Sequence, residues 1–169
     1  DLIALKATEG ILYWRTDTHW NHKGAFMVFR GALDALDLPV PAVQFERDGT
    51  HSGDLIGISE LKDFPLKADD NWTAVWAQPP AWKVASESGE SDTFGSIEVV
   101  ENENAPVKMS IWVTGDSFSR ALRPYFNGVF SEVHYVGHWQ DELAALPGEL
   151  ERAAKKPDIV FVVRVERSF

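Results

Sequence analysis

From Gly24 onward the apolar residues Ala25, Phe26, Phe29, Ala32, Leu33 and Leu36 recur at helical spacing. Asn21, a good N-cap, stands just before them, so a helix is predicted to begin there and to end at Leu38-Pro39-Val40-Pro41. Residues 42–71 show only weak periodicity and are expected to be loop-rich. Short strands are predicted over Trp72 to Gln78, Trp82 to Ala85 and Phe94 to Glu101. Pro79-Pro80 and the polar run Ser86 to Asp92 separate them, which suggests a short antiparallel β excursion. From Met109 the pattern alternates strand, helix, strand, helix, strand over Met109 to Val113, Phe118 to Asn127, Glu132 to Val136, Asp141 to Lys155 and Asp158 to Val165. Such alternation implies an α/β fold with a parallel sheet and helices on its faces. Pro147-Gly148 is expected to split the last helical region into two pieces, and the apolar run Ile159 to Val163 is expected to be a central strand.

Two segments carry groups suited to chemistry: Arg15-Thr16-Asp17-Thr18-His19-Trp20-Asn21 and Thr114-Gly115-Asp116-Ser117-Phe118-Ser119. A serine hydroxyl is a weak nucleophile until a hydrogen-bonded imidazole takes its proton and a carboxylate fixes the tautomer of that imidazole. Ser117, His19 and Asp17 supply these three groups. Ser117 falls on a predicted strand-to-helix turn at the carboxyl end of a strand, the usual ligand-binding edge of an open α/β sheet. Gly115 permits a sharp turn there, and the first N–H groups of the following helix lack intrahelical partners and can face an oxyanion. Asp17 and His19, two apart on an extended loop, point the same way, so Asp17 is placed to accept from the ring N–H of His19. Asp116 is expected to hold the turn by hydrogen bonds.

Thr16-Asp17-Thr18-His19-Trp20-Asn21 followed by Gly24-Ala25, and then Gly115-Asp116-Ser117-Phe118-Ser119, resembles the SGNH-hydrolase-like domain of the alginate O-acetyltransferase family. In that group the Asp-x-His element precedes Gly-Asp-Ser, the reverse of ordinary SGNH esterases, and this chain has the same order. Ser52-Gly53-Asp54-Leu55 and the ending Lys156-Pro157-Asp158-Ile159-Val160-Phe161 with Val165-Glu166-Arg167 are weaker matches. The resemblance implies a circularly permuted, three-layer SGNH-like fold and transfer of acetyl groups to hydroxyls of an exported bacterial polysaccharide such as alginate. Ser117, His19 and Asp17 match its triad position by position. It also implies a periplasmic setting, association with the inner membrane in the full-length protein, an acetyl donor delivered by a membrane acyltransferase, and other polysaccharide-export proteins as partners. No cofactor is implied. Gly53 would lend a backbone N–H to the oxyanion hole, as a glycine does in SGNH enzymes generally.

The 169 residues are 44% hydrophobic with 7 Trp and 10 Phe, ample for one core, so a single domain over residues 1–169 is expected. The chain starts at Asp1 and ends on Arg167-Ser168-Phe169 just after a strand-like run, which suggests a fragment lacking N-terminal sheet elements of the family. The absence of cysteine excludes disulfides, thiolate metal sites and cysteine catalysis. A net charge of −10 argues against nucleic acid as a partner. It also sits awkwardly with a polyuronate acceptor, but Arg15, Lys23, Arg120 and Arg123 lie near the two motifs and are expected to form a basic rim. Arg120, about one turn beyond Ser117, is the candidate for a substrate carboxylate, which a planar guanidinium binds bidentately.

Other readings attach to the same residues. Trp20 would shield the base or stack on a sugar face, with core packing as its alternative. Asp17, His19 and His22 are of metal-ligating type, but two histidines straddling a helix start are more often capping or surface groups, and no metal is assigned. His134 and His138 follow or lie on a strand and are expected to be structural, and His51 is placed in a loop. A carbohydrate O-acetylesterase has the same triad. A polysaccharide-binding or complex-forming module with an inactive triad is the alternative from a different class.

Overall fold

A computed structural model of the chain describes residues 2–58, 68–88, 97–136 and 140–165. The chain divides into two compact units, residues 1–79 and 80–169.

In the first unit, α1 (Leu2–Glu9) leads to α2 (His22–Ala35), followed by β1 (Val43–His51), the short α3 (Asp54–Ile58) and β2 (Asp69–Trp76). The helix predicted after Asn21 is α2. The Asn21 side chain accepts from the Gly24 N–H at 2.9 Å, closing the first turn. Ala25, Phe26, Phe29 and Leu33 form its buried stripe with Leu12 and Trp20, and Phe26 meets Phe45 of β1 edge-on at 5.7 Å. β1 corrects the expectation of a loop-rich stretch over 42–71. Only Val43 and Phe45 alternate with exposed residues at the start of the strand, so it is held by its antiparallel pairing with β2 and not by a long apolar face. An irregularity between Arg47 and Thr50, with Gly49 in the left-handed region at φ 73°, shifts the register so that β1 ends with His51 opposite Asp69.

The second unit holds β3 (Lys83–Ser88), β4 (Ile97–Glu101), β5 (Val107–Gly115), a 3₁₀ helix (Ser117–Leu122), α4 (Arg123–Val129), β6 (Phe130–Val136), α5 (Gln140–Arg152) and β7 (Ile159–Val163). Its five strands lie in the order β3-β4-β6-β5-β7. The fold is therefore mixed α/β, with a five-stranded mixed sheet and a small antiparallel sheet. The sheet is parallel only across β6-β5-β7, because β3 and β4 join it antiparallel as an edge and do not form a separate excursion. The predicted start of that strand at Phe94 lies outside the described residues.

Three further expectations are corrected. The helix predicted over Phe118 to Asn127 is a 3₁₀ segment followed by α4, since Pro124 opens α4 and has no N–H to continue the ladder behind it. Pro147 sits inside one helix, α5, because a proline removes a single hydrogen bond and leaves the rest of the ladder. β7 pairs with β5 alone among the described residues and Val162 is 48% exposed, so the strand is not central. An apolar run reports covered faces, whereas position in a sheet depends on backbone edges that side chains do not encode.

Phe126, Phe130 and Phe161 pack together with ring centroids 5.0–6.3 Å apart, joining α4, β6 and β7. Gly115 ends β5 where the backbones of β5 and β7 close up: a Cβ there would lie 2.2 Å from the Val163 carbonyl oxygen. The glycine serves close approach and not an unusual φ. Gly115→Ala is expected to push β7 away and to lower stability by about 1–3 kcal/mol. Urea unfolding of the variant and the parent measures this directly.

Candidate active site

The loop bearing Asp17 and His19 has no regular structure, so its polar backbone groups need partners from elsewhere. Its ends are tied by an isolated antiparallel bridge between Tyr13 and Trp20 and by the Asn21 N–H, which donates to the Leu12 carbonyl at 2.9 Å. Between these ties the loop is held almost residue by residue. Asp69 of β2, its side chain 4% exposed, accepts from Arg15 Nε at 2.8 Å, the Thr16 N–H at 2.8 Å and Thr16 Oγ1 at 2.7 Å. Asp54 at the start of α3 accepts from the Thr18 N–H at 2.9 Å and Thr18 Oγ1 at 2.7 Å. The Gly53 N–H donates to Thr16 Oγ1, and the Leu55 N–H donates to the Thr16 carbonyl. Gly53 is required for this approach, since a Cβ would come within 2.3 Å of the Asp17 Cβ and the Thr16 carbonyl oxygen.

Asp17 folds back on its own loop. Oδ1 accepts from the His19 N–H at 2.9 Å and stands 2.6 Å from His19 Nδ1, while Oδ2 stands 2.7 Å from Nε2 of His51. Burial pushes the Asp17 carboxyl up, but hydrogen bonds from His19 and His51 outweigh it and hold the group below the usual carboxylate range. An ionised carboxylate only accepts, so Nδ1 of His19 carries the proton and the lone pair is left on Nε2, the arrangement of a general base. Asp17 is one-tenth exposed and His19 one-quarter exposed. His22 is the first residue of α2. It lies edge-on to Trp14 at 6.1 Å, and burial, reinforced by His51, lowers its pKa. Ligand atoms of Asp17, His19 and Asp54 do lie within 4.8 Å of one another, but a cation at Nδ1 would have to displace the proton given to Asp17.

Ser117 lies in the second unit, half-buried at the first position of the 3₁₀ helix, with Asp116 between it and the end of β5. Asp116 builds the turn. Its N–H donates to the Val163 carbonyl at 3.0 Å, Oδ1 accepts from the Phe118 N–H at 3.0 Å and Oδ2 from the Val165 N–H at 2.8 Å. The neighbouring carboxylate thus orders the turn around Ser117, as its sequence position suggested. With three residues per 3₁₀ turn, Arg120 falls on the same side of the helix as Ser117, and it is exposed. Trp20 is 7% exposed, within the core of the first unit.

The basic rim is largely spent on partners. Arg15 binds Asp69, Lys23 stands 3.4 Å over the Trp72 ring, and Arg123 pairs with Glu98 while lying over Tyr135 at 4.0 Å. His134 donates within β6 to Glu132 at 2.7 Å and stacks on Trp112, whereas His138 and Glu166-Arg167 lie outside the described residues. Sequence reasoning missed the role of His51. Its only signal was proximity to Ser52-Gly53-Asp54, and the strand register that turns it onto Asp17 was not predicted.

Asp69 supplies a test of this scaffold. Burial raises its pKa, but the hydrogen bonds from Arg15 and Thr16 prevail and bring it from 3.8 to about 2. Because the folded value lies below the unfolded one, its stabilisation is full above about pH 4 and is lost as pH falls toward 2. Asp69→Asn, which turns an amide toward the Thr16 N–H, is expected to cost about 2 kcal/mol at neutral pH and to flatten the acid limb of stability. Denaturant melts between pH 2 and 7 check both effects.

No protein-family model and no curated protein matches the sequence. Solved structures do match. A DHHW family protein from Eubacterium siraeum is 16% identical with a TM-score of 0.60, over 96% of this chain and 62% of that one. Bacillus cereus PatB1 with a sulfonyl adduct is 14% identical with a TM-score of 0.63, over 98% and 66%. The O-acetyltransferase domain of Pseudomonas putida AlgJ is 16% identical with a TM-score of 0.52, over 97% and 57%. The chain spans about three fifths of the length of the solved structures it matches. At these identities the likeness is one of fold, and the fold is one that an O-acetyltransferase domain also adopts.

Proposed function

We propose that this chain is a serine-dependent O-acetyltransferase of the alginate O-acetyltransferase type, with Ser117 as nucleophile, His19 as base and Asp17 as the group that orients it. The observation that carries the reading is the 2.6 Å contact between Asp17 Oδ1 and His19 Nδ1, which leaves the other ring nitrogen to accept a proton. The ordered turn at Ser117 and the fold shared with the AlgJ O-acetyltransferase domain support it.

In this reaction Nε2 of His19 takes the Ser117 proton as Oγ attacks the acetyl carbonyl of a donor ester. The backbone N–H of Ser117 is assigned to the oxyanion, whereas those of Gly53, Phe118 and Ser119 already donate to Thr16 and Asp116. The donor's oxygen leaves with the proton from His19, and an acetyl-serine remains. A sugar hydroxyl then gives its proton to His19, attacks the acetyl-serine and leaves acetylated, which restores Ser117. Arg120 steers a substrate carboxylate, and Trp20 shields the base from behind. The acceptor is an exported bacterial polysaccharide such as alginate, met in the periplasm, with acetyl groups supplied by a membrane acyltransferase. Among the described residues no helix is long and apolar enough to cross a membrane.

Incubation with an activated acetyl ester and a defined oligouronate is expected to yield acetylated oligosaccharide. Ser117→Ala and His19→Ala are each expected to lower that yield by about a thousandfold or more, the scale for a triad member. Exclusive release of free acetate would make the protein an esterase. Oligouronate binding without turnover, unchanged in Ser117→Ala, would make it a binding module.

A further inference from the structure

The acyl-transfer roles use one imidazole on Asp17, yet Asp17 carries two. His19 occupies Oδ1 through Nδ1 at 2.6 Å, and His51 occupies Oδ2 through Nε2 at 2.7 Å. Because the ionised carboxylate offers only acceptors, each of these nitrogens holds a proton. Neutral His19 is then the Nδ1–H tautomer and neutral His51 the Nε2–H tautomer. The His51 ring is itself fixed. Its backbone closes β1 opposite Asp69, and its face lies on Trp14 with centroids 3.8 Å apart and planes 17° apart. The titratable groups facing this pair are Asp17 from the loop, His22 from α2 and Asp54 from α3, the last 3.9 Å from His19 Nδ1.

We propose that His51 is a positioning residue: its Nε2–H holds the Asp17 carboxylate so that Oδ1 stays on His19, and in this way it keeps the His19 lone pair on Nε2. A carboxylate bonded on one oxygen alone can turn about its Cβ–Cγ bond. A donor fixed on the second oxygen removes that freedom, as the partner of a ligating or catalytic group commonly does. The stack on Trp14 makes His51 a rigid donor. The kinetic consequence rests on the acyl-transfer reading, but the tautomers do not.

Ring-nitrogen NMR of the ¹⁵N-labelled chain, with acetylation rates from an activated acetyl ester, tests the proposal. In the wild type His51 is expected to be Nε2–H and His19 Nδ1–H. His51→Phe keeps a ring for Trp14 but removes the donor. It is expected to leave His19 in mixed tautomers and to slow acetylation about tenfold or more, a cost in line with a small misplacement of a catalytic group. His51→Gln, whose amide nitrogen reaches the position of Nε2, is expected to restore the His19 tautomer and most of the rate. A histidine that merely packs would lower thermal stability on replacement and leave the His19 nitrogens unchanged. That result, or an Nδ1–H tautomer for His51 in the wild type, overturns the proposal. If His51→Phe does not fold, the wild-type tautomer and His51→Gln still decide. If the wild type takes up no acetyl group, the acyl-transfer reading fails while the tautomers decide the positioning role on their own.

Discussion

A buried carboxylate, Asp69, is the constraint on which the first unit's chemistry depends. A loop without helix or strand must find partners for its own polar groups, and Asp69 answers three of them at once, from Arg15 Nε, the Thr16 N–H and Thr16 Oγ1. With Thr16 fixed, Gly53 and Leu55 attach to it, and Asp54 takes Thr18. Asp17 lies between these two anchored residues, with one carboxylate oxygen on His19 and the other on His51. The geometry of the Asp17–His19 pair is therefore inherited from a strand distant in sequence.

The second unit solves a similar problem with a different carboxylate. Asp116 ties the end of β5 to the residues that follow β7 and caps the 3₁₀ helix at the same time. Gly115 allows the two strands to close up beneath it. Ser117 is thereby presented at the carboxyl end of the parallel part of the sheet, where helix and strand leave the backbone tightly turned. In both units a carboxylate that takes no part in the proposed proton transfer sets the place of a residue that does.

Local signals explain what was legible in the sequence. The cap at Asn21 and the stripe Ala25, Phe26, Phe29, Leu33 announced α2, and the strand–turn–helix pattern around Gly115-Asp116-Ser117 announced the turn. Asp17 and His19 are two residues apart, so their pairing needs only an extended loop. What was missed depends on contacts distant along the chain. β1 has too short an apolar alternation to show itself without β2, and the edge position of β7 is a matter of backbone pairing. His51 reaches Asp17 only because the irregularity at Gly49 shifts the β1 register. Arg15, Lys23 and Arg123 are expected from sequence to form a basic rim, but each lies beside an acid or an aromatic ring that local sequence does not reveal.

The central claim is that His19, oriented by Asp17, activates Ser117. Site mapping of the acyl adduct tests it most directly: the chain is exposed briefly to an activated acetyl ester, digested, and the acetylated residue located by tandem mass spectrometry in the parent and in His19→Ala. The account predicts acetyl on Ser117 in the parent and its loss in the variant. Acetyl on another residue, or on Ser117 to the same extent without His19, would contradict it.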